Sequence, residues 1–322
     1  MSEITSNTGR QSHAKISAVI SEVEKVVVGK RHELELLLSA MLSGGHILIE
    51  DVPGVGKTTL ASALARSAGL DFKRAQFTPD VMASDITGFN MYNRSAERFE
   101  FREGLVMTNI LLADEINRAS PKTQSSLLEA MEENSVTVDG ITYRLPDPFF
   151  VIATQNPTGY VGTYPLPEAQ LDRFLMKITM DYPSLEEEVS ILERHHTNAA
   201  LVKLEDVHPV ITRDELLAFR KLMDKVFVDR TLLQYIALIV QQTRTSKAVY
   251  LGASPRASVA MLQSSKAYAL LQGRDFVTPE DIKFVAPYVL QHRLILTAEA
   301  EMEGYSPVKV TQRLIDKVEV PK

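Results

Sequence analysis

An α/β domain built on a parallel sheet, followed by a smaller all-α domain, is the fold class that this 322-residue sequence predicts. Three observations carry it. Short apolar runs alternate with helical patterns through about the first 180 residues, which is the signature of a parallel sheet covered on both faces. A glycine-bearing segment joins the first run to the next helical pattern, as a tight strand-to-helix turn requires. After Asp181-Tyr182-Pro183 the alternation stops and helical periodicity takes over.

The polar start, MSEITSNTGRQSHAK, lacks the apolar centre of an export signal. It reads as a mobile tail over residues 1–14. That leaves 15–183 for the α/β domain and 184–322 for the helical domain with a C-terminal extension. Strand-like runs lie at 46–50, 72–77, 110–114, 149–154 and 175–180, with helical patterns at 58–67 and 122–133 between them. Two hairpins interrupt this order. Val136-Thr137-Val138 and Ile141-Thr142-Tyr143 alternate around Asp139-Gly140, the dipeptide favoured in type I′ turns. The other spans 89–101 and turns at Asn93-Arg94-Ser95. Neither belongs to a minimal parallel core, so both read as insertions. In the second domain, helices are expected over 185–196, 216–228, 232–244 and 258–271. Thr278-Pro279-Glu280-Asp281 marks a further helix start with proline at its first position.

Composition removes several function classes. With 35 Lys and Arg against 41 Asp and Glu, the net charge is -6, which takes away the simplest electrostatic case for a nucleic-acid binder. Cysteine is absent, so disulfides, thiolate metal sites and a cysteine nucleophile are excluded together. No run approaches the ~20 apolar residues of a spanning helix. The expectation is a cytoplasmic protein without a membrane segment.

Chemistry gathers at the ends of the strand-like runs. Leu48-Ile49-Glu50 leads through Asp51, Val52, Pro53, Gly54, Val55, Gly56 and Lys57 to Thr58 and Thr59, the strand–loop–helix context of a phosphate-binding loop. Glycines let backbone N–H groups converge on phosphate oxygens, and the helix start adds favourable partial charge. Lys57 would reach the β- and γ-phosphates of ATP, and Thr58 would give its hydroxyl to Mg²⁺. Asp51 stands where the usual motif has its first glycine, so its carboxylate would have to point away from the phosphates. Asp114 and Glu115 close the third run; Asp114 can join a Mg²⁺ shell and Glu115 can polarise a water. Alone, the pair would equally be a solvated strand end. Asn156 would lie beside the γ-phosphate if its strand neighbours the others; otherwise it is a turn former before Pro157.

From about Lys15 to the C-terminus the chain resembles an AAA+ ATPase of the MoxR family. The resemblance is carried by residues 50–58, Asp114-Glu115-Ile116-Asn117-Arg118-Ala119, Ala153-Thr154-Gln155-Asn156-Pro157, the run LPEAQLDRF ending at Phe174, and Gly252-Ala253-Ser254-Pro255-Arg256. Asp51 is compatible with that family. The resemblance implies a P-loop AAA+ core with a five-stranded parallel sheet in the order 5-1-4-3-2, a lid domain, and a homo-oligomeric, hexameric ring. It further implies Asn156 as sensor 1, Arg173 as an arginine finger reaching the neighbour's γ-phosphate and Arg256 as sensor 2. Val28 and Gly29 would belong to the adenine pocket. The hairpins near Asn93 and Asp139 would be the helix-2 and pre-sensor-1 inserts. On the residues alone, the alternative for Arg173 is a surface group or a partner of Asp172, and that for Arg256 is a salt-bridge residue. Arg118 is evenly split between a neighbour contact and a loop cap, and His292-Arg293 reads as helical packing with surface exposure. The implied function is Mg²⁺-dependent ATP hydrolysis coupled to chaperone-like remodelling or maturation of a client or adaptor protein, including partners with a von Willebrand factor A domain. Two rivals stand beside it: a nucleic-acid motor, against which the acidic balance counts, and a nucleotide switch whose turnover is incidental.

Overall fold

The five apolar runs become the five strands of one parallel sheet. A computed structural model describes residues 2–52, 54–156, 163–196 and 203–321. In chain order the first domain contains α1 (Ser2–Glu24), α2 (Arg31–Leu42), β1 (Ile47–Asp51), α3 (Lys57–Ser67), β2 (Phe72–Gln76) and α4 (Ala83–Thr87). It continues with the hairpin β3 (Gly88–Asn93) and β4 (Arg98–Glu103), then β5 (Ile110–Asp114) and α5 (Pro121–Glu133). After these come the hairpin β6 (Ser135–Val138) and β7 (Ile141–Arg144), then β8 (Phe150–Gln155), α6 (Glu168–Leu171) and β9 (Met176–Met180). The sheet order is β2-β5-β8-β1-β9, which is 5-1-4-3-2 when the five sheet strands are counted along the chain. Where a tail was expected over 1–14, the backbone is helical from Ser2 onward. Ile16, Val19, Ile20 and Val23 are buried at the spacing of one helix face.

β5 is buried along its whole length and β8 along all but its last residue, as strands covered on both faces must be. Alternate residues serve opposite sides. Ile47, Ile49, Leu112 and Ile152 join a cluster with α1, α2, α3 and the helices of the second domain. Leu48, Leu111, Ala113, Val151 and Ala153 join a cluster under α5. His46, just before β1, is buried between the two sides. Its Nδ1 accepts from the Val151 N–H at 3.0 Å and its Nε2 faces the Met131 carbonyl at 3.1 Å, which fixes the neutral Nε2–H tautomer. Burial pushes its pKa down to about 4, with the nearby Arg220 charge acting in the same direction. Between about pH 6.5 and 4 the unfolded imidazole binds a proton that the folded one lacks, so stability falls as pH falls through that window, by about 3 kcal/mol in all. The melting temperature of the wild type is therefore expected to drop as pH is lowered below 6.5. A His46→Gln chain should melt lower at pH 7 but show a shallower slope. Equal slopes in the two chains would remove His46 as the cause.

Both insertions are hairpins. Asp139 and Gly140 have φ of 50° and 80°, the signs a type I′ turn needs at its two central positions. The other turn occupies 94–97, where Asn93 Oδ1 accepts from the Ser95 and Ala96 N–H groups. The hairpins touch each other: Asn90 Nδ2 donates to Asp139 Oδ2 at 2.8 Å, and Phe101 stacks on Tyr143 with centroids 3.9 Å apart. A Cβ at Gly140 would meet nothing within 4 Å, so Gly140→Val strains only the backbone, by roughly 1–2 kcal/mol. That variant should loosen the hairpin while binding a fluorescent ATP analogue as tightly as the wild type. Lost nucleotide affinity in a folded Gly140→Val chain would contradict the reading of this hairpin as an insertion.

The second domain comprises α7 (Leu185–His196), α8 (Arg213–Met223), α9 (Arg230–Thr245), β10 (Val249–Leu251), α10 (Pro255–Leu271), α11 (Pro279–Leu290), β11 (Ile295–Leu296), α12 (Ala298–Met302) and α13 (Pro307–Lys317). To the expected helical domain the structure adds one short antiparallel pair, β10 and β11. The pattern over 216–228 also ends early as helix. α8 stops at Met223, and Phe227 instead pairs with Phe276. Thr212, Asp229, Thr297 and Ser306 each cap a helix start by accepting from its first-turn N–H groups, which supplies donors that would otherwise lack partners.

Candidate active site

Parallel strands place all five C-terminal ends on one edge of the sheet, the edge at which open α/β sheets bind ligands. β1 ends there in Asp51 and runs into the loop to Gly56; Pro53 lies outside the described residues. Gly54 and Gly56 have φ of +88° and +86°, and a Cβ on either would meet nothing within 4 Å. Side chains at those positions would therefore fill the open cradle and strain the backbone. α3 begins at Lys57 with Gly56 as its N-cap and no capping side chain, so the N–H groups of the turn holding Thr58 and Thr59 remain available to an anion. Val52 and Val55 flank the loop, and Val55 is buried.

β8 lies between β5 and β1, so the strands that carry Asn156 and the acidic pair are neighbours. Glu50 stands opposite Gln155 and Ala113 opposite Ala153, which puts Asn156 between the loop and Asp114-Glu115. Asp114 is 3% exposed. Its Oδ2 accepts from Arg74 Nε at 2.7 Å and its Oδ1 from the Thr154 hydroxyl at 3.4 Å. That hydroxyl in turn accepts from the Glu115 N–H at 2.9 Å. Glu115 sits in the left-handed region, φ 56° and ψ 49°, a conformation that costs a non-glycine residue ~1–2 kcal/mol. Arg118, left between two roles by the sequence, donates to Glu115 Oε2 at 2.9 Å. Asn117 Nδ2 donates to the Asn156 carbonyl at 3.5 Å; residues 157–162, including the Pro157 of that motif, lie outside the described residues.

Val28 and Gly29 reach the same edge. Lys30 Nζ donates at 3.0 Å to the carbonyl of Asp181, the first residue after β9. A Cβ at Gly29, whose φ is +70°, would run into the Glu187 carboxylate of α7. Among the described residues no group of three or more His, Asp and Glu side chains is placed to hold a metal ion by itself. Thr58 and Asp114 do fit a share of a Mg²⁺ shell, because that ion is usually held by one or two protein ligands, with substrate phosphates and water completing the octahedron.

Arg173 and Arg256 are not at this edge. Leu175 N–H donates to the carbonyl of His46 at 2.8 Å, so the loop with Arg173 lies where the strands begin. β1 and the residue before it span about 15 Å from there to the P-loop edge. The Arg173 guanidinium lies 3.2 Å from Glu132 Oε2, and that of Arg256, in the first turn of α10, lies 3.7 Å from Glu132 Oε1. Asp172, the alternative partner of Arg173, pairs with Arg293 at 2.6 Å. The reading of His292-Arg293 as helical and surface-exposed is corrected. Both follow the end of α11; His292 is buried and the side chain of Arg293 is 4% exposed, because the carbonyls of the 172–175 loop need donors. His292 Nε2 serves the Phe174 carbonyl at 3.0 Å, and Arg293 serves those of Phe174 at 2.7 Å and Leu175 at 3.1 Å. Burial lowers the pKa of both, that of His292 well below its ordinary value.

Thr154, Arg74 and Glu132 are the residues that sequence reasoning gave no role, and Arg293 the one that it placed on a helix surface. Thr154 had a signal, as the polar end of an apolar run.

The family model described as the ATPase family associated with various cellular activities matches residues 46–176, and the AAA lid domain matches 241–316. The protein YeaC of Bacillus subtilis (strain 168) is 50% identical over 309 residues, covering 96% of this chain and 96% of its own length. The chaperone MoxR1 of Mycobacterium tuberculosis is 42% identical over 316 residues, covering 95% of this chain and 82% of that one. A solved structure of a protein from Cytophaga hutchinsonii matches with a TM-score of 0.90 at 41% identity, covering 100% of this chain and 98% of that one.

Proposed function

The chain belongs to the MoxR family of AAA+ ATPases, and from that membership we propose that it hydrolyses ATP with Mg²⁺ at the C-terminal edge of its sheet, as a homo-oligomeric ring that remodels or matures partner proteins in the cytoplasm. One observation carries the reading. The reading is supported by the open glycine cradle, Lys57, Thr58, the Asp114-Glu115 pair and Asn156 all following strands that end on one edge of the sheet. In the proposed site, backbone N–H groups of 54–59 and the Lys57 ammonium hold the phosphates, while Val28 and Gly29 face the base. Thr58 and Asp114 would hold Mg²⁺, which would supply charge neutralisation at the phosphate oxygens. Glu115 accepts the proton of the attacking water and Asn156 orients it. Thr154 supports the acidic pair from behind by contacting both members.

Arg173 cannot serve its own site, a sheet length away, so a role at a γ-phosphate makes it the neighbour's residue; the same geometry extends to Arg256. A hexameric ring and an adaptor with a von Willebrand factor A domain are the assembly and partner that the family resemblance implies. A protein partner also suits the inserts, where Phe99 (70% exposed) and Tyr92 (50% exposed) present aromatic surface to solvent. No helix among the described residues is long and apolar enough to cross a membrane. The deciding measurement is phosphate release from Mg-ATP by the purified chain with Glu115→Gln as control. Wild-type release no faster than the control's would refute the hydrolysis reading.

A further inference from the structure

Two arginines from different domains meet on one carboxylate. Arg173 comes from the loop before β9 and Arg256 from the first turn of α10, and each addresses a different oxygen of Glu132, at 3.2 Å and 3.7 Å. A second tie lies behind them. Asp172 Oδ1 accepts from Arg293 Nε at 2.6 Å, while its Oδ2 accepts from the hydroxyl of Ser254, the N-cap of α10, at 3.4 Å. The backbones carrying the two arginines are thus fastened to each other through Asp172. A cavity of about 290 Å³ opens beside them, lined by Met131, Glu132, Asp172, Arg173 and Arg256.

Among the described residues, the ion pairs at this corner do not cancel. Asp172 is matched by Arg293, which leaves two guanidiniums for the single charge of Glu132. Exposed ion pairs of this kind are weak, so a phosphate group in a water-excluded interface displaces the carboxylate readily. What the pair supplies beforehand is orientation. Arginine side chains have many rotamers, and a misplaced catalytic group costs rate steeply.

We propose that Glu132 is a positioning residue that holds Arg173 and Arg256 side by side, so that they meet a second copy's triphosphate as one paired cation site. This rests on the proposed shared site, in which Arg173 acts across the interface between copies.

The test uses full-length Glu132→Gln chains alone and in 1:1 mixtures. Alone, the variant is expected to bind a fluorescent ATP analogue as the wild type does and to lose roughly tenfold or more in kcat. Mixed with Glu115→Gln chains, phosphate release should rise, because those partners bring an intact Glu132 and Arg173 to the variant's intact site. Mixed with Arg173→Ala chains it should not rise, because the only intact arginines then lack Glu132. A merely structural defect in the variant's own nucleotide site gives the reverse pattern, rescue by Arg173→Ala and not by Glu115→Gln, and would overturn the proposal. Wild-type kcat would overturn it as well. Glu115→Gln mixed with Arg173→Ala is the separate control. Silence there removes the shared site itself, and the proposal with it, whereas recovery there with the reverse pattern for Glu132→Gln removes the proposal alone.

Discussion

Glu115→Gln and Arg173→Ala chains, each nearly inactive alone, are expected to regain phosphate release when mixed. The expectation follows from sheet polarity. Glu115 follows the C-terminal end of β5, whereas Arg173 stands at the opposite edge, beside the residue that precedes β1. The edges are about 15 Å apart, so one chain cannot bring both groups to one phosphate. An arginine placed at the transferring phosphoryl is worth roughly 10³–10⁵ in rate, and each single variant should fall by an amount of that order with ATP binding retained. In a random 1:1 mixture about a quarter of the head-to-tail interfaces combine an intact Glu115 with an intact Arg173. Activity should therefore recover partly, and only after subunits exchange. Mixed rings confirmed by native mass spectrometry but still inactive would sink the shared site and leave Arg173 with its Glu132 pair as a structural residue.

The second large effect separates binding from chemistry. Lys57 opens α3 beside the glycine cradle, where its charge would compensate the phosphates. Losing a desolvated charge pair costs roughly 2–5 kcal/mol, about 30-fold to 4,000-fold in affinity. Lys57→Ala should therefore abolish nucleotide binding at micromolar ATP analogue. Glu115→Gln keeps the size and the hydrogen-bonding reach of the side chain but removes the base, so it should bind ATP normally and release phosphate at least 10²-fold more slowly. Fluorescent-nucleotide titration and phosphate release on the same preparations decide it. Equal loss of ATP binding in both variants would mean that Glu115 holds the nucleotide rather than the water.

What was legible in the sequence is what local pattern encodes. Runs such as 110–114 are apolar because both faces of a parallel sheet are covered, and Gly54 and Gly56 are glycines because their φ values are positive. Both signals survive without coordinates, and they delivered the sheet and the glycine-rich loop at its edge. Pairings between distant segments left no such trace. Nothing near Arg74 announces that its guanidinium meets Asp114, and nothing near Glu132 announces two arginines from other parts of the chain. His292-Arg293 was misread because a helical pattern cannot show that the carbonyls of a remote loop need donors. β10 and β11 escaped because three and two residues are too few to display a period. Thr154 was the exception that could have been found, since a hydroxyl closing a fully apolar strand needs a buried partner.

α5 has a consequence of a different kind. It follows within a few residues of Glu115 and ends beside Glu132, which makes it a strut of about 20 Å between the edge where a chain would spend its own nucleotide and the corner it would lend to the next. A rod this short and this well packed bends little, so a shift at one end appears at the other. In a closed ring such struts would lie in series, each half-site linked mechanically to the one before it.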